Sequence, residues 1–155
     1  WVRGRIEPTD SEMKKLTTAV RDFKKLPMET AREVMKRLSY KVIDRTPIDT
    51  GLLVNSWIPT KGKASTRLIK TTDITRKKPK AKVRKVISEL KPGQNYYLTN
   101  NQPYSLIIEM GRNEGPPAQG SRQAPYGMLR LTVAEFQSII NQVVSGDKKL
   151  FIEIE

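Results

Sequence analysis

The residues best suited to chemistry in this 155-residue chain are carboxylates, because it contains no histidine and no cysteine. That double absence excludes Ser-His-Asp, Cys-His and cysteine- or histidine-held zinc chemistry, together with disulfides. Asp49-Thr50-Gly51 is the sharpest remaining candidate. An aspartic protease sets such a triplet in a tight turn, where two carboxylates share one proton. Here Arg45-Thr46-Pro47-Ile48 precedes the triplet, directly after a predicted helix rather than an apolar strand, and a second Asp would have to come from another copy. A turn accounts for the same residues more simply: Asp49 accepts backbone N–H groups, and Gly51 takes a conformation that other residues avoid. Glu109 lies in the apolar run 104–111 and reads as a partly buried, paired structural acid rather than a catalytic one. No glycine-rich phosphate cradle and no Asp-x-Asp cluster for magnesium or calcium occurs. The reading is therefore of a chain with no catalytic residue, no cofactor and no metal.

Charge is the next signal. The net charge is +13, and residues 61–91 hold twelve Lys or Arg against Asp73 and Glu89, a local balance of +10 (12 − 2) that leaves +3 for the remainder. Arg76, Lys77, Lys78, Lys80, Lys82, Arg84 and Lys85 are the candidates for facing a partner. The partner is either nucleic-acid phosphate or an acidic protein face. No Phe, Tyr or Trp interrupts 61–91, so base stacking is unsupported and phosphate contact would be independent of sequence.

The elements that position these residues read as follows. Thr9 and Glu12 stand at capping-box spacing before Met13, Leu16, Val20 and Phe23, which predicts a helix over 10–25 after a weak edge strand at 1–7. Ala31, Val34, Leu38 and Val42 predict a second helix over 28–45, ended by Pro47. A turn at 49–51, with one possible helical turn, leads into a strand through Trp57. The polar stretch 61–79 is a long loop or frayed hairpin, and loops of this length usually carry function. Val83, Val86, Ile87 and Leu90 predict a helix over 80–90. A strand at 95–99, a turn at 100–103 and a run of ambiguous type at 104–111 follow, then a Gly- and Pro-rich loop over 112–127. Thr132 and Glu135 suggest a second capping box, opening a helix that ends near Gly146. Leu150, Ile152 and Ile154 alternate as a strand over 149–155. The expected fold is α+β: one domain over 1–155, a small, mostly antiparallel sheet packed with N-terminal, middle and C-terminal helices, and mobile loops near 61–79 and 112–126.

The length suits one domain, and 37% apolar residues can support a core. No apolar run approaches the roughly 20 residues of a membrane span, and no secretory signal is visible. Because the chain opens on Trp1 rather than Met, a few preceding residues or an initiator Met are expected.

Four stretches, in order and with matching spacing, resemble the tail-component family of tailed bacteriophages, whose members act as neck and tail-completion proteins. They are Arg45-Thr46-Pro47-Ile48-Asp49-Thr50-Gly51-Leu52-Leu53 with Ser56-Trp57; Leu90-Lys91-Pro92-Gly93-Gln94 with Tyr97-Leu98-Thr99-Asn100-Asn101-Gln102-Pro103-Tyr104; Ile108-Glu109-Met110-Gly111; and Gln123-Ala124-Pro125-Tyr126-Gly127-Met128 with Thr132-Val133-Ala134-Glu135-Phe136. The matched region runs from about 29 to 145. Ser105 stands where alanine is usual, the 112–122 loop is longer than the family's, and 149–155 lies outside the match.

The resemblance implies a non-enzymatic virion protein, made in the host bacterial cytoplasm. It implies a ring of identical copies, sixfold or in some cases twelvefold, joining the capsid connector to the tail. Its neighbours would be other connector, neck and tail proteins, with non-specific contact to packaged DNA and none to membrane. The motif positions Pro47, Asp49, Thr50, Gly51, Trp57, Asn100, Asn101, Pro103, Tyr104, Glu109, Gly111, Gln123, Ala124, Pro125, Gly127 and Met128 then become structural or interface candidates, and the loops 61–79 and 112–126 are expected to reach adjoining subunits. The alternative is a sequence-independent basic nucleic-acid-binding protein.

Overall fold

The computed structural model describes the backbone of residues 9–154 and the side chains of 9–146, so the strand expected at 1–7 lies outside the described residues. The order is α1 (Asp10–Lys24), α2 (Met28–Arg45), α3 (Leu52–Asn55), β1 (Trp57–Lys61), α4 (Lys77–Glu89), β2 (Tyr96–Asn100), α5 (Ser105–Glu109), α6 (Leu129–Ala134) and α7 (Phe136–Ile154). Helices packed against an antiparallel strand pair make the class α+β, as expected.

Helix α1 starts where Thr9 and Glu12 close a reciprocal capping box, with bonds of 2.8 and 3.2 Å. Acidic residues in its first turn and Arg21 and Lys24 in its last oppose the helix dipole. Helix α2 is the hub. Its Val34 joins Ala19, Ile139, Ile140 and Val143 in one apolar cluster, between α1 and α7. Its Val42 and Ile43 join Leu53, Val54, Trp57, Val83, Ile87, Ala124 and Met128 in a second, between α3, β1, α4 and the 124–128 turn. Full burial of a side chain of this size stabilises by roughly 1.5–3 kcal/mol. Thr46, extended ahead of Pro47 (φ −74°, ψ 127°), ends α2 as the sequence predicts.

Strands β1 and β2 pair antiparallel, from Trp57 opposite Asn100 to Lys61 opposite Tyr96. Strand β1 begins at Trp57 instead of passing through it, because the single turn α3 consumes the residues before it.

Four further expectations are resolved or corrected. The 61–79 stretch is no hairpin: it is a loop over 62–76, and α4 begins at Lys77 with Pro79 buried in its first turn, where a missing N–H costs nothing. The ambiguous 104–111 run is helix α5 from Ser105 to Glu109. Thr132 caps nothing, because α6 already spans it and its hydroxyl donates back to the Met128 carbonyl at 3.0 Å. The last helix does not stop near Gly146, and 149–154 is its continuation rather than a strand.

Candidate assembly surface

The four motif stretches meet in space, tied by side chains that reach across the fold. From the end of α2, Arg45 donates to the Thr132 hydroxyl at 2.9 Å and pairs with the Glu135 carboxylate, which also receives Lys41 at 2.9 Å. The hydrogen bond from Arg45, then that from Lys41, hold the Glu135 carboxyl below its usual range. At the next residue, the Thr46 hydroxyl accepts from the buried indole of Trp57 at 2.7 Å and donates to the Val42 carbonyl. The backbone of Ile48 is held by the Gln123 amide, whose oxygen accepts from the Ile48 N–H and whose nitrogen donates to the Ile48 carbonyl, both at 2.9 Å. Ala124 and Met128 descend into the core beside Trp57.

The Asp49-Thr50-Gly51 triplet serves this junction as a turn. The expected acceptor is corrected: Thr50, not Asp49, takes the turn's N–H, from Leu52 at 3.2 Å. Asp49 is exposed and forms no hydrogen bond among the described residues. Burial, and then the nearby Asp49 carboxylate, raise the Tyr104 hydroxyl above its ordinary pKa. Gly51 has φ +84° and lies against the backbone of Asp73, which a Cβ would meet at 2.7 Å. The Gly51 carbonyl accepts from the Asp73 N–H at 3.1 Å, so the triplet also anchors the far end of the 62–76 loop.

That loop is pinned along its length. Asn55 donates to Thr71, Asn101 to the carbonyls of Ser65 and Arg67, and the buried Gln102 to the Ile69 carbonyl and the Ser56 hydroxyl. Asn100 reaches the Leu53 carbonyl at 2.9 Å. Pro103 is exposed beyond this turn.

Glu109 is the buried structural acid that the sequence indicated. It is 8% exposed, and its carboxylate accepts the backbone N–H groups of Met128, Leu129 and Arg130 at 2.7–2.8 Å, which closes the open start of α6. Gly127 (φ +90°) makes this approach possible, since a Cβ there would lie 2.4 Å from the Glu109 carbonyl. Gly111 is likewise buried against Pro125, whose carbonyl accepts the Arg112 N–H at 2.8 Å.

Around this clamp the surface is unusually apolar. Tyr104, Ile107 and Met110 of the α5 region, Tyr126 of the turn, and Leu129, Leu131 and Val133 of α6 are all exposed, Met110 and Tyr126 at 58% and 70%. Sequence reading overlooked most of these as surface residues. The available signal was the alternation of Leu129, Leu131 and Val133, which spreads around a helix instead of lining one face.

The basic stretch divides in two. Arg76, with φ 63°, donates to the carbonyls of Ile43 and Thr46 and so closes the end of α2 from outside; Lys80 pairs with Asp44 at 2.6 Å. Arg84 donates to the Tyr40 hydroxyl, and the half-buried Lys82 reaches the Asn55 carbonyl at 3.4 Å. Lys77, Lys78 and Lys85 are exposed and form no ion pair among the described residues. Sequence reasoning also missed Asp73, which caps α4 by accepting from Lys78 N–H, Thr75 N–H and the Thr75 hydroxyl. The hydroxyl bond from Thr75 and the backbone bond from Lys78 depress its pKa to about 2.

No group of acidic residues among those described could hold a metal, and no helix among them is long and apolar enough to cross a membrane. Protein-family models, curated proteins and solved structures give no match to this chain.

Proposed function

We propose that this chain is a structural subunit of a tailed-phage neck, assembling with copies of itself into a ring that completes the joint between capsid connector and tail. The observation that carries this reading is the exposed apolar surface of α5, the 125–127 turn and α6, organised around the Glu109 clamp. Large apolar side chains exposed together on a folded chain mark a site of association. The resemblance of the four stretches to phage tail components supports it, and those same stretches build the clamp and its surroundings. A heterologous contact repeated by rotation closes into a ring. In this reading Tyr104, Gly111, Pro125 and their neighbours shape one side of the contact, and the loops 62–76 and 112–126 reach the adjoining subunit or ring.

Native mass spectrometry and electron microscopy of the purified full chain test the proposal. The expected result is a closed oligomer of defined number, dispersed to folded monomers by Met110→Glu with Tyr126→Glu. A chain that stays monomeric at every concentration and is missing from purified virions ends the reading.

A further inference from the structure

We propose that the outward stripe of α4, Lys77, Lys78, Arg84 and Lys85, binds the phosphate backbone of duplex DNA without reading its sequence. The inference goes beyond ring assembly and does not require it. Helix α4 buries Pro79, Val83 and Ile87 on one side, so residues 77, 78, 81, 84, 85 and 88 form a continuous outer stripe. Lys77 to Lys85 spans about 12 Å of helix, a length over which duplex DNA presents roughly seven phosphate charges.

Three observations choose the occupant. First, the chain outside 61–91 carries a net +3 (13 − 10), so a neighbouring copy brings no overall surplus of negative charge to the stripe, whereas duplex DNA does. Second, α4 exposes no large apolar side chain, in contrast to α5 and α6. Protein interfaces are built around an apolar centre, whereas phosphate contacts need only cations and polar donors. Third, like charges converge at the inner margin of the stripe: burial, then repulsion from Arg67 and Lys78, lower the Lys82 ammonium pKa. A polyanion laid along the stripe relieves that repulsion. The absence of aromatic residues from 61–91 favours a duplex over a single strand.

The test is fluorescence anisotropy of the full chain with a mixed-sequence duplex, titrated with salt. Wild type is compared with two variants: Lys77→Gln, Lys78→Gln, Lys85→Gln; and a control with Lys14→Gln, Lys15→Gln, Lys24→Gln on the exposed face of α1. Each lost phosphate contact reduces the slope of log K against log salt by about 0.9, so the α4 variant loses about 2.7 (3 × 0.9) and the control keeps the wild-type slope. Should the α4 triple variant melt early by circular dichroism, Lys85→Gln alone must lower the slope by about 0.9. The proposal is overturned by no duplex binding in wild type, by an equal loss in the α1 control, or by polyglutamate competing as well per charge as the duplex. The last result assigns the stripe to an acidic protein instead. Oligomer mass measured on the same samples keeps this outcome separate from ring assembly.

Discussion

The side-chain amide of Gln123 engages the backbone of Ile48 in both directions, accepting its N–H and donating to its carbonyl at 2.9 Å each. It copies the pairing of a neighbouring strand with a single residue, and it joins the turn after α2 to the segment that leads into α6. Gln123→Glu keeps the acceptor and loses the donor, placing oxygen against oxygen. Gln123→Ala loses both. Because the site is exposed, water replaces part of the loss, and each variant is expected to cost about 0.5–1.5 kcal/mol in urea unfolding. The glutamate variant should be the worse at neutral pH and recover partly as its carboxyl protonates.

Glu109 carries more. Replacing it with Gln turns one acceptor oxygen into a donor among three backbone N–H groups. Losing charge-assisted bonds at a buried site costs about 2–3 kcal/mol, and the start of α6 should open. Hydrogen exchange at Met128, Leu129 and Arg130 reads this directly. Unchanged protection at these amides would show that the carboxylate does not hold α6.

The pairing of Trp57 with Thr46 allows a sharper comparison. Thr46→Val keeps the shape but leaves the buried indole N–H without its acceptor, at a cost of about 1–3 kcal/mol. Thr46→Ser retains the hydroxyl and should lose less. Chemical denaturation followed by far-UV circular dichroism ranks the two variants.

Two groups set opposite limits on pH stability. The folded Asp73 carboxyl, held at about 2 by its Thr75 and Lys78 bonds, lies below its unfolded value. Its stabilisation is present above about pH 4 and is lost as pH falls through about 2. Asp73→Ala removes the α4 cap, costs about 1 kcal/mol at neutral pH, and flattens that acid loss. Desolvation of the half-buried Tyr96 hydroxyl pushes it up to about 12, against the opposing effect of its 2.8 Å hydrogen bond with Ser39. Its contribution holds below about pH 10 and fades as pH rises through 12. Tyrosinate absorbance should show Tyr96 titrating last, and Tyr96→Phe should delete that final step.

Legibility in the sequence followed the range of the interaction. The Thr9–Glu12 box and the stop at Pro47 depend on residues within four positions, and both were readable. Thr132 and Glu135 show the same spacing as that box yet do not cap, because Leu129 has already begun the helix and the Thr132 hydroxyl turns back to Met128. The alternation of Leu150, Ile152 and Ile154 also misled. An established helix continues through a lone Gly146 for about 1 kcal/mol, less than a new strand without a partner would cost.

The candidate site was legible in outline only. Glu109, sitting polar within an apolar run, announced a buried acid. The uses of Gln102 and Gln123 did not show, since their partners Ser56 and Ile48 lie 46 and 75 residues away. Nor does composition separate Arg76, which holds α2 together, from Lys77 beside it, which points outward.

That guanidinium grip of Arg76 on the Ile43 and Thr46 carbonyls fixes the direction in which α4 leaves the loop. Every copy therefore carries its outer lysines at one angle. In a closed assembly they would recur as equivalent footholds at regular spacing, and contacts too feeble to register singly would gain avidity from simultaneous engagement.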